Sequence, residues 1–141
     1  MRWDGGATRS FVIGGPASPA VRALLVANIA VFLFQTLART FAQVRLAGLF
    51  GLVPYDVVHH FFLWQLATYM FLHGGLLHIA FNLLALWMFG SELESLWGTR
   101  RFLRFYFITG IGAALTSTLV TPNSPIPIIG ASGVTGDGPN D

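Results

Sequence analysis

Two short stretches hold the side chains of this chain that can do chemistry. One is His73-Gly74-Gly75-Leu76-Leu77-His78-Ile79-Ala80-Phe81-Asn82, and the other is Gly130-Ala131-Ser132-Gly133. On a helix, His78 and Asn82 are about 400° of rotation and about 6 Å of rise apart, so they share a face. His73 would point about 140° away from His78 if helical and is read as part of the loop before the helix. In the second stretch, glycines flanking a serine permit a sharp turn and close approach of a substrate backbone. A serine at the start of a helix also sits beside unpaired backbone N–H groups, which can hold an oxyanion. Gly-x-Ser-Gly alone recurs by chance.

Polar groups inside a membrane segment face a cavity or a partner. Two readings of His78 and Asn82 follow: a hydrogen-bonding couple between helices, or part of a polar site. A metal or haem site would need a second set of ligands, and the adjacent His59 and His60 point in different directions. No metal or cofactor is expected. The chain has no cysteine, which removes disulfides, thiol catalysis and thiolate ligands.

The elements that must position these residues are apolar. Of 141 residues 54% are hydrophobic and only 10% charged, against about 25% charged in a soluble domain. The stretches Ala23–Ala38, Phe61–Ser91 and Phe105–Gly136 contain no Asp, Glu, Lys or Arg. A transmembrane helix needs roughly 17–25 such residues. The composition therefore predicts an all-α, polytopic membrane bundle with three spans and the first residues of a fourth. The first stretch has no small-residue cleavage site at its end, so it reads as an uncleaved span. Net charge is +2 and all eight basic residues are arginine; with no basic stripe, nucleic acid is not an expected partner.

Met1–Pro19 reads as a mobile cytoplasmic lead. Arg22 and Arg39 bracket the first span and snorkel to the interfaces; Asn28 and Gln35 within it are expected to bond between helices. Thr40–Gln65 is too polar to span and too apolar for a free loop, which predicts an interfacial or partly re-entrant segment. Tyr55, Trp64 and Tyr69 suit the headgroup level. The second span runs from Leu76 to Phe89, or from near Leu66 if Gly74-Gly75 merely kinks it, and ends at Gly90, and Ser91–Arg104 reads as a polar turn. The third covers Phe105–Leu119, with Gly110, Gly112, Ala113 and Ala114 for close packing, and is broken by Pro122, Pro125 and Pro127. Three, two and three arginines in the lead, first connection and second turn place the N-terminus on the cytoplasmic side.

The combination of His-x4-His-x3-Asn in one span with Gly-x-Ser-Gly about fifty residues later resembles the rhomboid family of intramembrane serine proteases. Gly90-x3-Glu94-x3-Gly98, the Gly-Leu-Val-Pro-Tyr region at Gly51–Tyr55 and the long first connection are similar to that family too. The likeness covers roughly Ala20 to Val134. It implies Ser132 as nucleophile, with His78 and Asn82 as oxyanion stabilisers beside the Ser132 and neighbouring loop amides. Donors aimed at a developing oxyanion in a dry site are worth about 3–4 kcal/mol each. His73, Glu94, Gly130 and Gly133 are implied to be structural. The substrates would be transmembrane protein segments in the lipid bilayer, and the location a bacterial cytoplasmic membrane.

Three departures qualify the resemblance. The family's general base is a histidine in a sixth span, whereas the histidines here are His59, His60, His73 and His78 and none follows Ser132. A serine hydroxyl without a base is a weak nucleophile, so the 141-residue chain is expected to be inactive; a non-catalytic rhomboid-like protein that binds membrane clients is the alternative. Next, Thr135–Asp141 is polar and turn-like. The expectation is a membrane domain over 20–134, a tail over 135–141, and a break in reading frame or gene model near Val134. Last, Trp64-Gln65 stands where many members carry Trp-Arg. Glutamine lacks the charged fork of arginine, which bears on the anchoring of the first connection more than on the chemistry.

Overall fold

The computed structural model describes residues 15–130. Three of its helical segments are long and apolar enough to cross a membrane, Pro19–Ala42, Leu76–Trp97 and Thr99–Val120. At 1.5 Å per residue they measure about 33–36 Å, enough for a hydrocarbon core of about 30 Å. The chain is an all-helical integral membrane protein.

Helix α1 (Pro19–Ala42) starts on a proline, whose fixed φ and missing N–H suit the first turn. It stops where Gln43 adopts a left-handed φ of 54° and its N–H closes on Ala38 O. Val21, Leu24 and Asn28 recur at helical spacing along its buried face. With Ala20 and Phe102 of the third span, the apolar members form one core cluster. A second cluster of Leu52, Val57, Tyr69, Met70 and Ala114 fastens the first connection to the third span.

That connection is built of short pieces: α2 (Ala47–Phe50), α3 (Pro54–His59), α4 (Gln65–Thr68) and a 3-10 turn at Tyr69–Phe71. Leu49, Phe50, Tyr55, Phe61, Leu63 and Trp64 remain exposed, the pattern of a segment lying at a lipid interface. Gln65 is fully buried. Its Oε1 accepts the Val53 N–H at 2.9 Å, and its Nε2 donates to Gly48 O and Leu49 O, each at 3.3 Å. A neutral amide, which both donates and accepts, thus holds the connection without the charged fork. Tyr69, expected at headgroup level, is turned into the protein. It is buried, and its hydroxyl donates to Gly110 O at 2.7 Å. Gly110 also makes room for the neighbouring Met70, whose Cε would lie 2.2 Å from a Cβ there.

The second span is α5 (Leu76–Ala85), a π-helical turn at Leu86–Gly90 and α6 (Ser91–Trp97); α7 (Thr99–Val120) is the third. The expected end at Gly90 and the polar turn after it are therefore corrected. The helix runs through Gly90, and only Gly98, with φ 79°, separates it from α7. Gly90 serves packing instead of termination. A Cβ there would lie 3.0 Å from Val21 Cγ2 and 3.3 Å from Phe102 Cζ, so its bare backbone lets α1 and α7 close on the second span.

The last residues of the lead are tied down. Trp87 Nε1 donates to Gly15 O at 3.1 Å, and the Ser18 hydroxyl donates to Glu94. After α7 the chain returns across the first connection. Leu52 and Ile128 exchange both backbone hydrogen bonds at 2.9 and 2.8 Å, and Tyr55 N–H bonds Ser124 O at 3.1 Å.

Candidate functional site

The loop entering α5 is fixed from α1. Gln35 Oε1 accepts the His73 N–H at 3.2 Å, and Gln35 Nε2 donates to His73 O at 2.9 Å. This two-point clamp leaves His73 1% exposed. The His73 Nδ1 lies 3.1 Å from Phe71 O. A carbonyl only accepts, so Nδ1 carries the proton. Nε2 is then the acceptor for Asn82 Nδ2 at 3.0 Å. Burial, with His78 alongside, holds the His73 imidazole below its ordinary value, and the Phe71 bond only partly opposes this. His73 is therefore a neutral imidazole of defined tautomer.

The His78 ring stands edge-on to His73, with centroids 5.3 Å apart. Its Nδ1 accepts the Gly74 N–H at 3.3 Å, so in the neutral ring Nε2 bears the hydrogen. That edge faces Gly130: a Cβ on Gly130 would lie 2.8 Å from His78 Nε2 and 2.7 Å from Cε1. Gly130 holds this place with a positive φ of 68° and an N–H bond to Tyr69 O at 2.9 Å. The Leu52–Ile128 pairing two residues earlier sets its approach. The Cε1–Nε2 edge of the His78 ring thus lies against the glycine that opens Gly-Ala-Ser-Gly.

The structure brings His73, His78, Asn82 and Gly130 together, with His73 as the bridge to Asn82. Ser132 and Gly133 lie outside the described residues. Glu94 lies sixteen residues beyond His78 on the same span, about 24 Å along the axis. It is 4% exposed. It accepts the Ala20 and Val21 N–H groups at 3.0 Å each and the Thr99 hydroxyl at 2.6 Å, besides that of Ser18. A carboxylate there meets the orphan donors and positive end of α1. His59 and His60 are engaged elsewhere, with Asn123 at 3.1 Å and Asp56 at 3.0 Å.

Sequence reasoning missed the partners of Gln35 and Tyr69. Gln35 was legible as a polar group in an apolar span, but its partner is a loop backbone and not another helix. Asn28, also expected to bond between helices, meets the Tyr106 hydroxyl of α7 and in addition donates to Leu24 O of its own helix at 2.7 Å.

Comparison with known proteins gives this geometry a context. The Rhomboid domain family model matches residues 60–135. The chain is 44% identical over 70 residues to "Rhomboid protease GluP" of Bacillus subtilis, covering 50% of this chain and 13% of that protein. It is 36% identical over 96 residues to "Rhomboid protease AarA" of Providencia stuartii, covering 67% and 34% respectively. It is 35% identical over 111 residues to "Rhomboid-like protein 11, chloroplastic" of Arabidopsis thaliana, covering 78% and 36%. The chain thus spans well under half the length of each.

Proposed function

The chain belongs to the rhomboid family, and on that footing we propose that it carries one part of an intramembrane serine endopeptidase site. Ser132 is the nucleophile. His78 Nε2–H and the Asn82 carboxamide stabilise the tetrahedral oxyanion, and His73 and Glu94 are structural. The substrate class is transmembrane segments of membrane proteins. The N-terminus is cytoplasmic, in a bacterial inner membrane.

The observation that carries this reading is the contact between the His78 Nε2 edge and Gly130. Ser132 follows Gly130 by two residues, a reach of at most about 7 Å of chain. That short separation in sequence supports a role for the His78 donor at a carbonyl attacked by this serine. Oxyanion stabilisation needs donors already fixed in a site from which bulk water is excluded. The Gln35 clamp and the His73–Asn82 bond supply such fixation.

None of the four histidines of this sequence follows Ser132, and with no base the hydroxyl stays weakly nucleophilic. The 141 residues by themselves are accordingly expected to cleave nothing; binding of membrane clients without cleavage is the second reading. A chimera tests both, with residues 60–135 of this chain in place of the corresponding stretch of GluP. Cleavage of a membrane substrate should vanish with Ser132→Ala and fall about 100-fold or more with His78→Ala. Cleavage indifferent to Ser132→Ala would remove the nucleophile assignment. Client binding by the 141-residue chain that survives Ser132→Ala would favour the second reading.

A further inference from the structure

A cavity of about 560 Å³ opens between the end of α1, the start of the first connection and the His73–Gly75 loop. Its lining includes Gln35, Thr36, Arg39, Thr40, Arg45 and His73. The chain reversal at Gln43 returns Arg45 to the same cavity as Arg39, which sits in the last turn of α1. Among the described residues neither guanidinium has a hydrogen bond or an ion pair. The described carboxylates are committed elsewhere or distant. Asp56 pairs with His60, and Glu92 and Glu94 belong to α6, beside the opposite end of α1. Among the described residues the cavity therefore holds two positive charges with no acidic partner, together with threonine hydroxyls.

Its depth in the membrane narrows the anion. Arg39 lies twenty residues beyond Pro19 in α1, about 30 Å along the axis, the thickness of the hydrocarbon core. That puts the arginines at headgroup level. Val44, in the lining, is 43% exposed, and Leu37, Phe41, Leu49 and Phe50 on the same elements are exposed too, so the rim and its surroundings are apolar. Phosphate between arginines with acyl chains along such a rim satisfies both halves of the surface. We propose that this cavity binds the phosphate headgroup of an anionic phospholipid.

The test uses the full chain, delipidated in detergent, with phosphatidylglycerol or phosphatidylcholine of identical acyl chains and native mass spectrometry as readout. Phosphatidylglycerol should be retained preferentially. Each arginine beside an anionic lipid is worth about fivefold, so Arg39→Gln with Arg45→Gln should weaken retention about thirtyfold. Arg100→Gln with Arg101→Gln should leave it unchanged. Equal retention of the two lipids, or retention indifferent to the Arg39/Arg45 pair, overturns the proposal. Displacement of the lipid by inorganic phosphate alone also overturns it and assigns the site to a free anion. Should the glutamine pair fail to fold, Arg39→Lys with Arg45→Lys decides, since keeping the charge must keep the preference.

Discussion

Replacing Glu94 by glutamine changes almost no volume and isolates the chemistry of the carboxylate. Each of its oxygens receives one backbone N–H, Ala20 on Oε1 and Val21 on Oε2, both at 3.0 Å. The Ser18 and Thr99 hydroxyls can turn and accept from an amide, but a backbone N–H cannot. Whichever way the new amide points, its NH2 group meets one of these two donors. A buried donor left without its acceptor costs about 1–3 kcal/mol. Loss of the negative charge at the start of α1 adds up to about 2 kcal/mol in a partly buried setting. Relief of the carboxylate's own desolvation offsets part of this, leaving about 3 kcal/mol, or roughly 150-fold in the folding equilibrium. The assay is SDS-induced unfolding followed by tryptophan fluorescence, with hydrogen exchange at Ala20 and Val21 as the local readout. Glu92→Gln, on the same helix, should shift stability by less than about 0.5 kcal/mol. A Glu94→Gln loss below about 1 kcal/mol, or one matched by Glu92→Gln, would refute the reasoning.

His73 is held neutral below its ordinary value of 6.5, so the unfolded chain takes up the proton first as pH falls. Its contribution to stability is full above about pH 6.5 and declines below it until the folded ring protonates too. Unfolding midpoints across that range should show the slope, and His73→Gln should flatten it. Gln65→Leu strands Val53 N–H and takes a donor from Gly48 O inside the first connection, while Leu49 O keeps the Trp64 indole N–H. A loss of about 2–3 kcal/mol and faster proteolysis of Val44–Val53 should follow, both measurable on the purified chain. Gly130→Ala adds strain at φ 68° and drives a methyl group into the His78 ring. Cleavage by the GluP chimera should fall at least tenfold, with little change in the amount of chimera folded.

The spans were legible because lipid imposes one requirement, a long run without charge, and the sequence meets it three times. Their ends were less legible. Gly90 resembles a helix stop until Val21 and Phe102 are seen pressing on it, and such a contact has no local signature. The polar residues of Ser91–Arg104 suggested a turn, but α6 remains helical while Glu94 is satisfied by donors from α1 and α7. In the site, the spacing of His78 and Asn82 placed them on one face. The tautomer of His73 depends on Phe71 O, and its backbone depends on Gln35, thirty-eight residues away. Neither follows from periodicity. Gln65 shows that loss of a charged fork need not mean loss of an anchor when the partners are backbone groups of both kinds.

The bond between Leu52 and Ile128 joins residues seventy-six positions apart, and this separation sets a schedule for the growing chain. Gly130 is made fifty-two residues after His78, a delay of roughly 3–10 s at ordinary rates of synthesis. During that interval α1 and α5 can already be in the bilayer, with Gln35 gripping His73. The surface at His78 that will receive Gly130 is then still uncovered. Later-made residues complete the polar cluster, so the polypeptide enters the membrane before this cluster is assembled.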